Sequence, residues 1–256
     1  MSSHSVVLVT GAAQRIGRAI GLELAQHGFD VAVHCHRSVA AARETAAAIE
    51  RLGVRAHVVV ADLSQEDPCR RLADDVVRHF GRLDAVVNNA SLFEYDTPAS
   101  FTAAAMERHW RANTAPAIVL AQALAAHVVA RGRDGCVVNL LDQKLWNPNP
   151  DYFSYTLSKA ALQAATVMLA QALAPRLRVC GVAPGVTLAS GPMSPEEFEA
   201  SHRMTPLSRS STPEDVARAV RFLIESPAIT GTTLLVDGGQ HLSAQPRDVM
   251  YLAAKA

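Results

Sequence analysis

The chain has 256 residues, enough for one large domain with a substantial hydrophobic core. Its 24 Lys and Arg residues balance 24 Asp and Glu residues, and the sequence pI is about 7.2, which excludes the strongly basic surface typical of proteins that bind nucleic acid or anionic membranes. The four cysteines lie far apart and form no CxxC pair, as expected for free thiols in a reducing compartment.

The N-terminal residues do not resemble a targeting segment. The opening MSSHSVVLVTG lacks a basic region followed by a long apolar run and leads directly into a strand-like stretch. No apolar stretch is expected to approach the ~20 residues that a membrane-spanning helix needs. These observations predict a soluble protein of the cytoplasm, with neither nucleic acid nor a membrane among its partners.

The first predicted unit is a strand, a glycine turn and a helix. The strand covers Val6–Val9, and the turn, TGAAQRIG, contains Gly11, Arg15, Ile16 and Gly17. The N-terminus of such a helix offers unpaired N–H groups to a pyrophosphate, and the glycines let the backbone approach it closely. The turn therefore predicts a dinucleotide site, in which Arg15 stands where a glycine is usual and adds a cation to the crevice.

The second predicted strand ends in His36, Arg37 and Ser38. An NAD site places an acidic residue about 20 positions beyond the glycine turn, where it holds the ribose hydroxyls. Here Arg37 stands at that distance, and its guanidinium and the neighbouring hydroxyl suit a 2′-phosphate. The strand end predicts NADPH rather than NADH as the cofactor. His34 and His36 share a strand face but lack a third ligand of matching spacing, so no metal site is predicted.

Helices and strands alternate along the rest of the chain. Further helices are predicted at residues 38–52, 67–80, 98–110, 113–131 and 195–204, in a segment that ends at Leu173, and after the cap residue Thr212; further strands are predicted at 54–60, 83–87, 136–138, 178–182 and Thr233–Val236. Apolar strands joined by helices indicate a parallel sheet covered on both faces. We predict a single α/β domain over residues 1–256, a Rossmann-like doubly wound parallel sheet of about seven strands with helices on both faces.

Candidate ligand-binding residues follow three more of these strands, at the sheet edge where such folds bind ligands. They are Asp62 and Leu63, then Asn89, Ala90 and Ser91, and finally Pro184 and Gly185. The loop that continues over residues 186–211 is too long for a plain connector, so we expect a substrate lid with a short helix.

A candidate catalytic group lies in the stretch NLLDQKLWNPNPDYFSYTLSKA, which reads as strand, loop and helix. Tyr155 and Lys159 are four residues apart on the helix, so their side chains share one face. The lysine ammonium is expected to lower the tyrosine pKa from about 10 and to allow proton transfer at neutral pH. Asp142, at the mouth of the strand, could face the same substrate atom. The alternatives are a solvated surface pair and a loop acid that caps the next turn.

Together these motifs resemble the short-chain dehydrogenase/reductase family over nearly the whole chain. The matching residues are the turn at 10–17, Asp62, Asn88, Asn89, Ala90, Asn113, Tyr155, Lys159, Pro184 and Gly185. The resemblance implies that Tyr155 is the acid, that Lys159 lowers its pKa and holds the nicotinamide ribose, and that Asn113 supports a proton relay. It also implies a homotetramer built on the long helices after Asn113 and Phe153.

Two departures from the family pattern narrow the resemblance. The family normally has serine at the position of Asp142 and glycine at that of Arg15, and both changes occur in its pteridine reductase and dihydromonapterin reductase branch. By that resemblance Phe93 would stack on the pterin ring, Arg15 and Ser91 would contact cofactor and substrate, and Tyr152 would line the pocket. Asn113 could also simply cap a helix, and Phe93 could be a packed loop residue.

Three functions compete at this point. The leading hypothesis is an NADPH-dependent reductase of dihydropterins or dihydrofolate, in which Tyr155 and Asp142 manage the proton. The second is a carbonyl reductase, such as one acting on 3-oxoacyl thioesters; a carboxylate at position 142 argues against it because it would oppose the charge that a carbonyl oxygen develops. The third is a non-catalytic NADPH-binding sensor, which would need no proton relay.

Overall fold

The computed structural model describes residues 4–189 and 193–253. A seven-stranded parallel sheet runs through its centre in the order β3-β2-β1-β4-β5-β6-β7. The strands are β1 (Val6–Val9), β2 (Asp30–Cys35), β3 (Ala56–Val60), β4 (Ala85–Asn88), β5 (Gly135–Leu140), β6 (Leu177–Pro184) and β7 (Thr233–Val236). The predicted fold class and number of strands are confirmed.

Helices cover both faces of the sheet. They are α1 (Arg15–Gln26), α2 (Val39–Glu50), α3 (Glu66–Phe80), α4 (Ala103–His109), α5 (Ala115–Ala130), α6 (Phe153–Leu173), α7 (Pro195–Arg203), α8 (Pro213–Glu225) and α9 (Val249–Ala253). Successive residues of β1 point to opposite faces: Val7 and Val9 pack with α1, α2 and α8, whereas Val6 and Leu8 pack with α3 and α5. A strand buried on both faces must be apolar throughout, which is why its sequence shows no alternation.

The direction of strand addition reverses at β1. From β1 the chain adds β2 and β3 on one side, then returns to place β4 on the other side, pairing Val7 with both Val31 and Ala85. Loops leaving β1 and β4 therefore diverge and leave a crevice at the carboxyl edge of the sheet. The glycine turn and the predicted ligand-binding residues after β2, β3, β4 and β6 follow strands at this edge, whereas Tyr155 and Lys159 lie on α6.

The segment between β4 and α5 differs from the prediction. Helix α4 begins at Ala103 rather than near residue 98, because the Thr102 hydroxyl accepts the Ala105 N–H at 3.1 Å and caps the helix there. Asn113 does not cap a helix. It lies within a π-helical turn, Trp110–Thr114, that joins α4 to α5. Such single π turns are frequent at functional sites.

The resulting continuous helical run corrects a second expectation. Ala103–Ala130 spans 28 residues with a hydropathy of 1.4, so by length and composition it could cross a membrane. The prediction that no stretch approaches that length is wrong, since alanines contribute most of this apolar run. Yet 44% of its most apolar window is buried inside the protein, where Leu120, Leu124 and Val128 belong to the core. The helix therefore serves as a core element of the sheet's second face.

The predicted lid contains a short helix, as expected. Helix α7 begins after Ser194, whose hydroxyl accepts the Glu197 N–H while the Glu197 carboxylate accepts the Ser194 N–H. Thr212 and Asp215 form the same capping box before α8, with Pro213 in its first turn. Residues 190–192 of the predicted lid lie outside the described residues.

Candidate active site

A cavity of about 490 Å³ opens at the carboxyl edge of the sheet. It contains most of the predicted catalytic and substrate-binding residues. From the predicted set it is lined by Arg15, Ile16, Asn89, Ser91, Phe93, Asp142, Tyr155, Lys159, Pro184 and Gly185; from outside that set, by residues that include Leu141, Gln143, Thr187, Met193, Gln240, Asp248, Val249 and Met250. The cavity thus joins strand ends that lie far apart in the sequence.

Asp142 and Tyr155 are directly hydrogen-bonded across this cavity. The Tyr155 hydroxyl donates to Asp142 Oδ2 at 2.9 Å, and the Lys144 backbone N–H donates to Asp142 Oδ1, also at 2.9 Å. Asp142 therefore caps the following 3-10 turn, Gln143–Trp146, and faces Tyr155 as well. The capping and catalytic interpretations of this residue are compatible.

The two groups hold a proton tightly. Burial raises the pKa of Asp142, against the opposing effect of its hydrogen bonds from Lys144 and Tyr155. Burial, followed by the Asp142 charge and hydrogen bond, raises the pKa of Tyr155 well above its usual value. The phenol proton of Tyr155 is therefore hard to remove at neutral pH.

Lys159 does not lower the Tyr155 pKa as predicted. Its ammonium donates to the Leu140 carbonyl at 2.7 Å and lies 5.7 Å from the centre of the Tyr155 ring. Burial lowers the pKa of Lys159 to about 8, although the Asp142 carboxylate partly offsets this. The expected tyrosinate is disfavoured because burial and a carboxylate 2.9 Å away outweigh the ammonium. The structure thus favours a protonated Tyr155.

Asn113 connects the loop after β4 to α6. Its side-chain amide donates to the Ser158 hydroxyl at 2.9 Å and to the Leu92 carbonyl at 3.0 Å. Its side-chain oxygen accepts the Leu92 N–H at 2.6 Å and the Ser91 hydroxyl at 3.2 Å. Since Ser158 in turn donates to the Tyr155 carbonyl, Asn113 fixes Ser91 relative to the catalytic helix. A proton relay through Asn113 stays a prediction.

The glycine turn after β1 is packed against the end of β4. Gly11 has a left-handed backbone, with φ +63°, and a Cβ added at Gly17 would lie 2.6 Å from Asn89 Nδ2. Asn89 uses this amide to bond the Thr10 carbonyl at 2.9 Å. Arg15 also has a left-handed backbone, φ +56°, which explains why a glycine is usual at this position. Its guanidinium donates to the Ala189 carbonyl at 3.1 Å, at the start of the lid.

His34 has a structural role that sequence analysis missed. The Gly11 N–H donates to His34 Nδ1 at 3.1 Å, and His34 Nε2 lies 3.1 Å from the Ala61 carbonyl. Burial lowers the pKa of His34 to about 4, so the ring is neutral, with Nδ1 as acceptor and Nε2 as donor. It braces the glycine turn against the end of β3. A lone histidine within an apolar strand is the signal that could have indicated this role.

The predicted 2′-phosphate site lies beside the cavity rather than in it. His36, Arg37 and Ser38 are exposed at the end of β2, while Asp62 and Leu63 follow β3. His36 Nε2 lies 4.0 Å from Asp62 Oδ2. Hydrogen bonding from Ser64 lowers the pKa of Asp62, so this carboxylate stays charged. Ala90 follows β4 at the same edge of the sheet.

Three aromatic rings, those of Phe93, Tyr152 and Tyr155, pack together beside the cavity. Phe93, 42% exposed, stacks on Tyr152 at 4.1 Å between ring centres and meets Tyr155 edge-on at 4.7 Å. Tyr152, predicted to line the pocket, is not among its lining residues. It lies behind Phe93, buried, with its hydroxyl 3.5 Å from Met250 Sδ. Phe93 is therefore the ring available to a planar ligand.

The C-terminal segment, residues 243–253, forms a wall of the cavity that sequence analysis did not foresee. Asp248, Val249 and Met250 line the cavity. The segment is attached by the buried carboxylate of Asp151, which binds the Arg247 guanidinium through two bonds of 2.7 and 2.8 Å and the Asp248 N–H at 2.7 Å. Residues 96 or more positions apart make these contacts, and no local pattern predicts them.

Several known proteins are similar to this chain over most of its length. A family model described as Enoyl-(Acyl carrier protein) reductase matches residues 11–241. The crystal structure of FolM alternative dihydrofolate reductase 1 from Brucella suis, in complex with NADP, is 43% identical, with a TM-score of 0.90 over 96% of this chain and 98% of that chain. Pteridine reductase 1 of Leishmania tarentolae is 34% identical over 93% of this chain and 96% of its own.

A third relative represents another chemistry. A Streptomyces violaceoruber protein whose assigned name is that of a ketoacyl reductase of the granaticin polyketide synthase is 38% identical, covering 93% of this chain and 96% of its own. The chain therefore belongs to the short-chain dehydrogenase/reductase family of oxidoreductases, as its motifs predict. Within that family it is similar both to reductases of pterins and folates and to a protein named for carbonyl reduction.

Proposed function

We propose that the protein is an NADPH-dependent reductase of a pterin-type C=N bond, acting on a dihydropterin or on dihydrofolate. The observation that carries this proposal is the hydrogen bond between Asp142 and Tyr155 inside the cavity. The similarity to FolM alternative dihydrofolate reductase 1 and to pteridine reductase 1 supports it. Phe93 adds a flat apolar face at the cavity wall, suited to a heteroaromatic ring.

The residues present fit an NADP cofactor. Gly17 leaves no room for a side chain beside Asn89, so the turn can hold a pyrophosphate against backbone N–H groups. Arg37 and Ser38 would hold the 2′-phosphate at the end of β2. Lys159, Pro184 and Gly185 line the inner part of the cavity, where the nicotinamide end would lie. When bound, NADPH supplies a hydride.

The chemistry of the pair favours a C=N substrate. Reduction of such a bond adds a hydride to carbon and a proton to nitrogen. The Asp142–Tyr155 pair keeps a proton at neutral pH and faces the cavity, so it can deliver one to nitrogen directly or through a water molecule. A carbonyl oxygen would develop negative charge near Asp142, which a carboxylate opposes. The same pair therefore favours imines and disfavours carbonyls.

A carbonyl reductase is the second candidate, and the granaticin-related protein is the observation in its favour. Both candidates share Tyr155, Lys159 and the cofactor site. They differ in what Asp142 does: in the first it acts with Tyr155 to pass a proton to nitrogen, whereas in the second it only caps the turn at Lys144.

A substrate panel separates the two. Purified protein and NADPH are mixed with a dihydropterin, with dihydrofolate and with an acetoacetyl thioester, and loss of NADPH absorbance is followed. We expect turnover of the dihydropterin or dihydrofolate and a loss of about 100-fold in Asp142→Ala. The control is Asp75→Ala, an exposed acid on α3 paired with Arg78. Turnover of the thioester alone would establish the second candidate, and NADPH binding without any turnover would indicate a sensor.

We also infer that the protein works as a homotetramer in the cytoplasm. Val129 on α5 and Met168 on α6 are 59% and 66% exposed, and Val167 is 44% exposed. Apolar side chains on two neighbouring helices are suited to packing against a second copy. Light scattering after size-exclusion chromatography tests the assembly: a mass near that of one 27.3 kDa chain would contradict it.

A further inference from the structure

The C-terminal segment approaches the catalytic pair through one buried lysine. The side chain of Lys144 is 4% exposed, and its ammonium lies 3.3 Å from Asp248 Oδ2 and 2.5 Å from the Asp151 carbonyl. The backbone N–H of the same residue donates to Asp142 Oδ1 at 2.9 Å. Lys144 therefore contacts the catalytic carboxylate through its backbone and the carboxylate of the C-terminal segment through its side chain.

The Asp248 carboxylate caps α9 by accepting the Met250 N–H at 3.2 Å, and it also pairs with Lys144. Asp151 holds the segment through Arg247 and the Asp248 backbone N–H, and these bonds do not use the Asp248 carboxylate. That carboxylate lines the cavity, 20% exposed, with Lys144 and the Met250 N–H as its partners. A buried lysine needs an anionic partner, and the use of Asp248 as that partner places a negative charge in the same cavity as Asp142.

The titratable and charged groups around Asp142 come from four elements. The turn after β5 contributes Lys144, α6 contributes Tyr155 and Lys159, the C-terminal segment contributes Asp248, and α1 contributes Arg15 to the same cavity. Asp248 raises the pKa of both Asp142 and Tyr155, since a second negative charge disfavours ionisation, whereas Lys144 lowers that of Asp142. The two charges of the Lys144–Asp248 ion pair therefore act on the pKa of Asp142 in opposite directions.

We propose that Lys144 and Asp248 are positioning residues for the catalytic pair: the C-terminal segment carries Asp248 to the cavity, Lys144 holds it opposite Asp142, and together they set the pH range over which Asp142 and Tyr155 retain their proton. The effect of the two residues on the pH dependence of dihydropterin reduction rests on the proposed reductase function. The effect on Asp142 itself does not, because the ion pair is present without substrate.

The first experiment needs no turnover. The carboxyl carbon of Asp142 is titrated by NMR in aspartate-labelled protein and identified by its loss in Asp142→Asn. Removing a negative neighbour favours ionisation, so Asp248→Asn is expected to lower the Asp142 pKa by about one unit. Removing a positive neighbour has the opposite sign, so Lys144→Met is expected to raise it by a similar amount. The double variant should return it close to the wild-type value.

The second experiment uses activity with the dihydropterin. Turnover requires the protonated pair, so kcat/KM falls as pH rises through the apparent pKa of the pair. This falling limb should move to lower pH in Asp248→Asn and to higher pH in Lys144→Met, with thermal unfolding measured in parallel to check folding. Asp75→Asn, which removes an exposed acid far from the cavity, should leave the limb unmoved.

Opposite shifts in the two single variants support the proposal, because damage to packing would change both in the same direction. Unshifted titration of Asp142 in a folded Asp248→Asn protein overturns it. If Lys144→Met does not fold, Lys144→Gln is titrated in its place. A rise of the Asp142 pKa in Asp248→Asn overturns the proposal even without a lysine variant. If the wild type reduces no dihydropterin but the NMR shifts appear, the proposed function fails and the positioning role stands.

Discussion

The two sides of the cavity differ in how their residues are placed. On the cofactor side, the glycine turn, Arg37 and Asn89 directly follow β1, β2 and β4, so the sheet itself brings them to one edge. On the substrate side, side-chain contacts orient the groups: Phe93 stacks on Tyr152, and Asp151 holds the C-terminal segment. Asp142 follows β5, but its carboxyl group is oriented by Tyr155 on α6. Strand ends are set by backbone pairing, whereas loop contacts depend on individual side chains. A substitution on the cofactor side should therefore weaken NADPH binding and spare the catalytic step, and a substitution on the substrate side should do the reverse.

The largest difference between the effect on kcat and the effect on NADPH binding is expected in Tyr155→Phe. Loss of the hydroxyl removes the Asp142 hydrogen bond and the proton donor, and kcat should fall about 1,000-fold. The cofactor side keeps its contacts, so the NADPH dissociation constant, measured by fluorescence, should change less than fivefold. A change of that size corresponds to the loss of about one weak hydrogen bond. Ser226→Ala is the control, because it removes a hydroxyl that donates to the Phe222 carbonyl at the end of α8 and does not line the cavity. Equal loss of activity in both variants would contradict a donor role for Tyr155.

Gly17→Ala is expected to act on the cofactor side and to weaken NADPH binding. The added methyl would lie 2.6 Å from Asn89 Nδ2 and 2.9 Å from the Gly11 carbonyl carbon, so the turn must shift at a cost of about 1–3 kcal/mol. NADPH binding, followed by calorimetry, should weaken by tenfold or more. Gly21→Ala in the same helix is the control, because its methyl would meet the flexible end of Ile49 at 3.3 Å. Unchanged NADPH affinity in Gly17→Ala would show that the turn does not hold the cofactor.

A smaller and more selective effect is expected in Arg37→Ala. If Arg37 holds the 2′-phosphate, its loss should raise KM for NADPH about tenfold, the value of one charge-assisted hydrogen bond, and leave KM for NADH unchanged. Arg43→Ala removes an exposed arginine from α2 and serves as the control. Parallel increases in KM for both cofactors would place the 2′-phosphate elsewhere.

The same contrast explains what the sequence could predict. Apolar strands without alternation, such as Val6–Val9 and Thr233–Val236, identified the parallel sheet, and motifs at strand ends located the cavity. The sequence predicts the start of the Ala103 helix too early, near Pro98. Both Pro98 and the Thr102 cap are helix-start signals, and the structure uses Thr102. These outcomes depend on local chemistry, which a sequence displays.

Long-range contacts were beyond such reasoning. The Asp151–Arg247 ion pair joins residues 96 positions apart, and only the folded chain brings the C-terminal segment to the cavity. The expected low pKa of Tyr155 failed for a similar reason: helical spacing placed Lys159 on the correct face, but its ammonium binds the Leu140 carbonyl, and Asp142 dominates the phenol. Spacing defines a face of a helix, while pKa values depend on burial and the nearest charges.

The central claim is that Asp142 makes this family member a reductase of C=N bonds. The most direct test is the ratio of NADPH consumption with a dihydropterin to that with an acetoacetyl thioester, in the wild type and in Asp142→Ser. We expect the wild type to favour the dihydropterin, and serine to lower the ratio about 100-fold by removing the carboxyl group that is hydrogen-bonded to Tyr155 and by admitting a carbonyl oxygen. A wild type that prefers the thioester, with a ratio unchanged by serine, would contradict the claim.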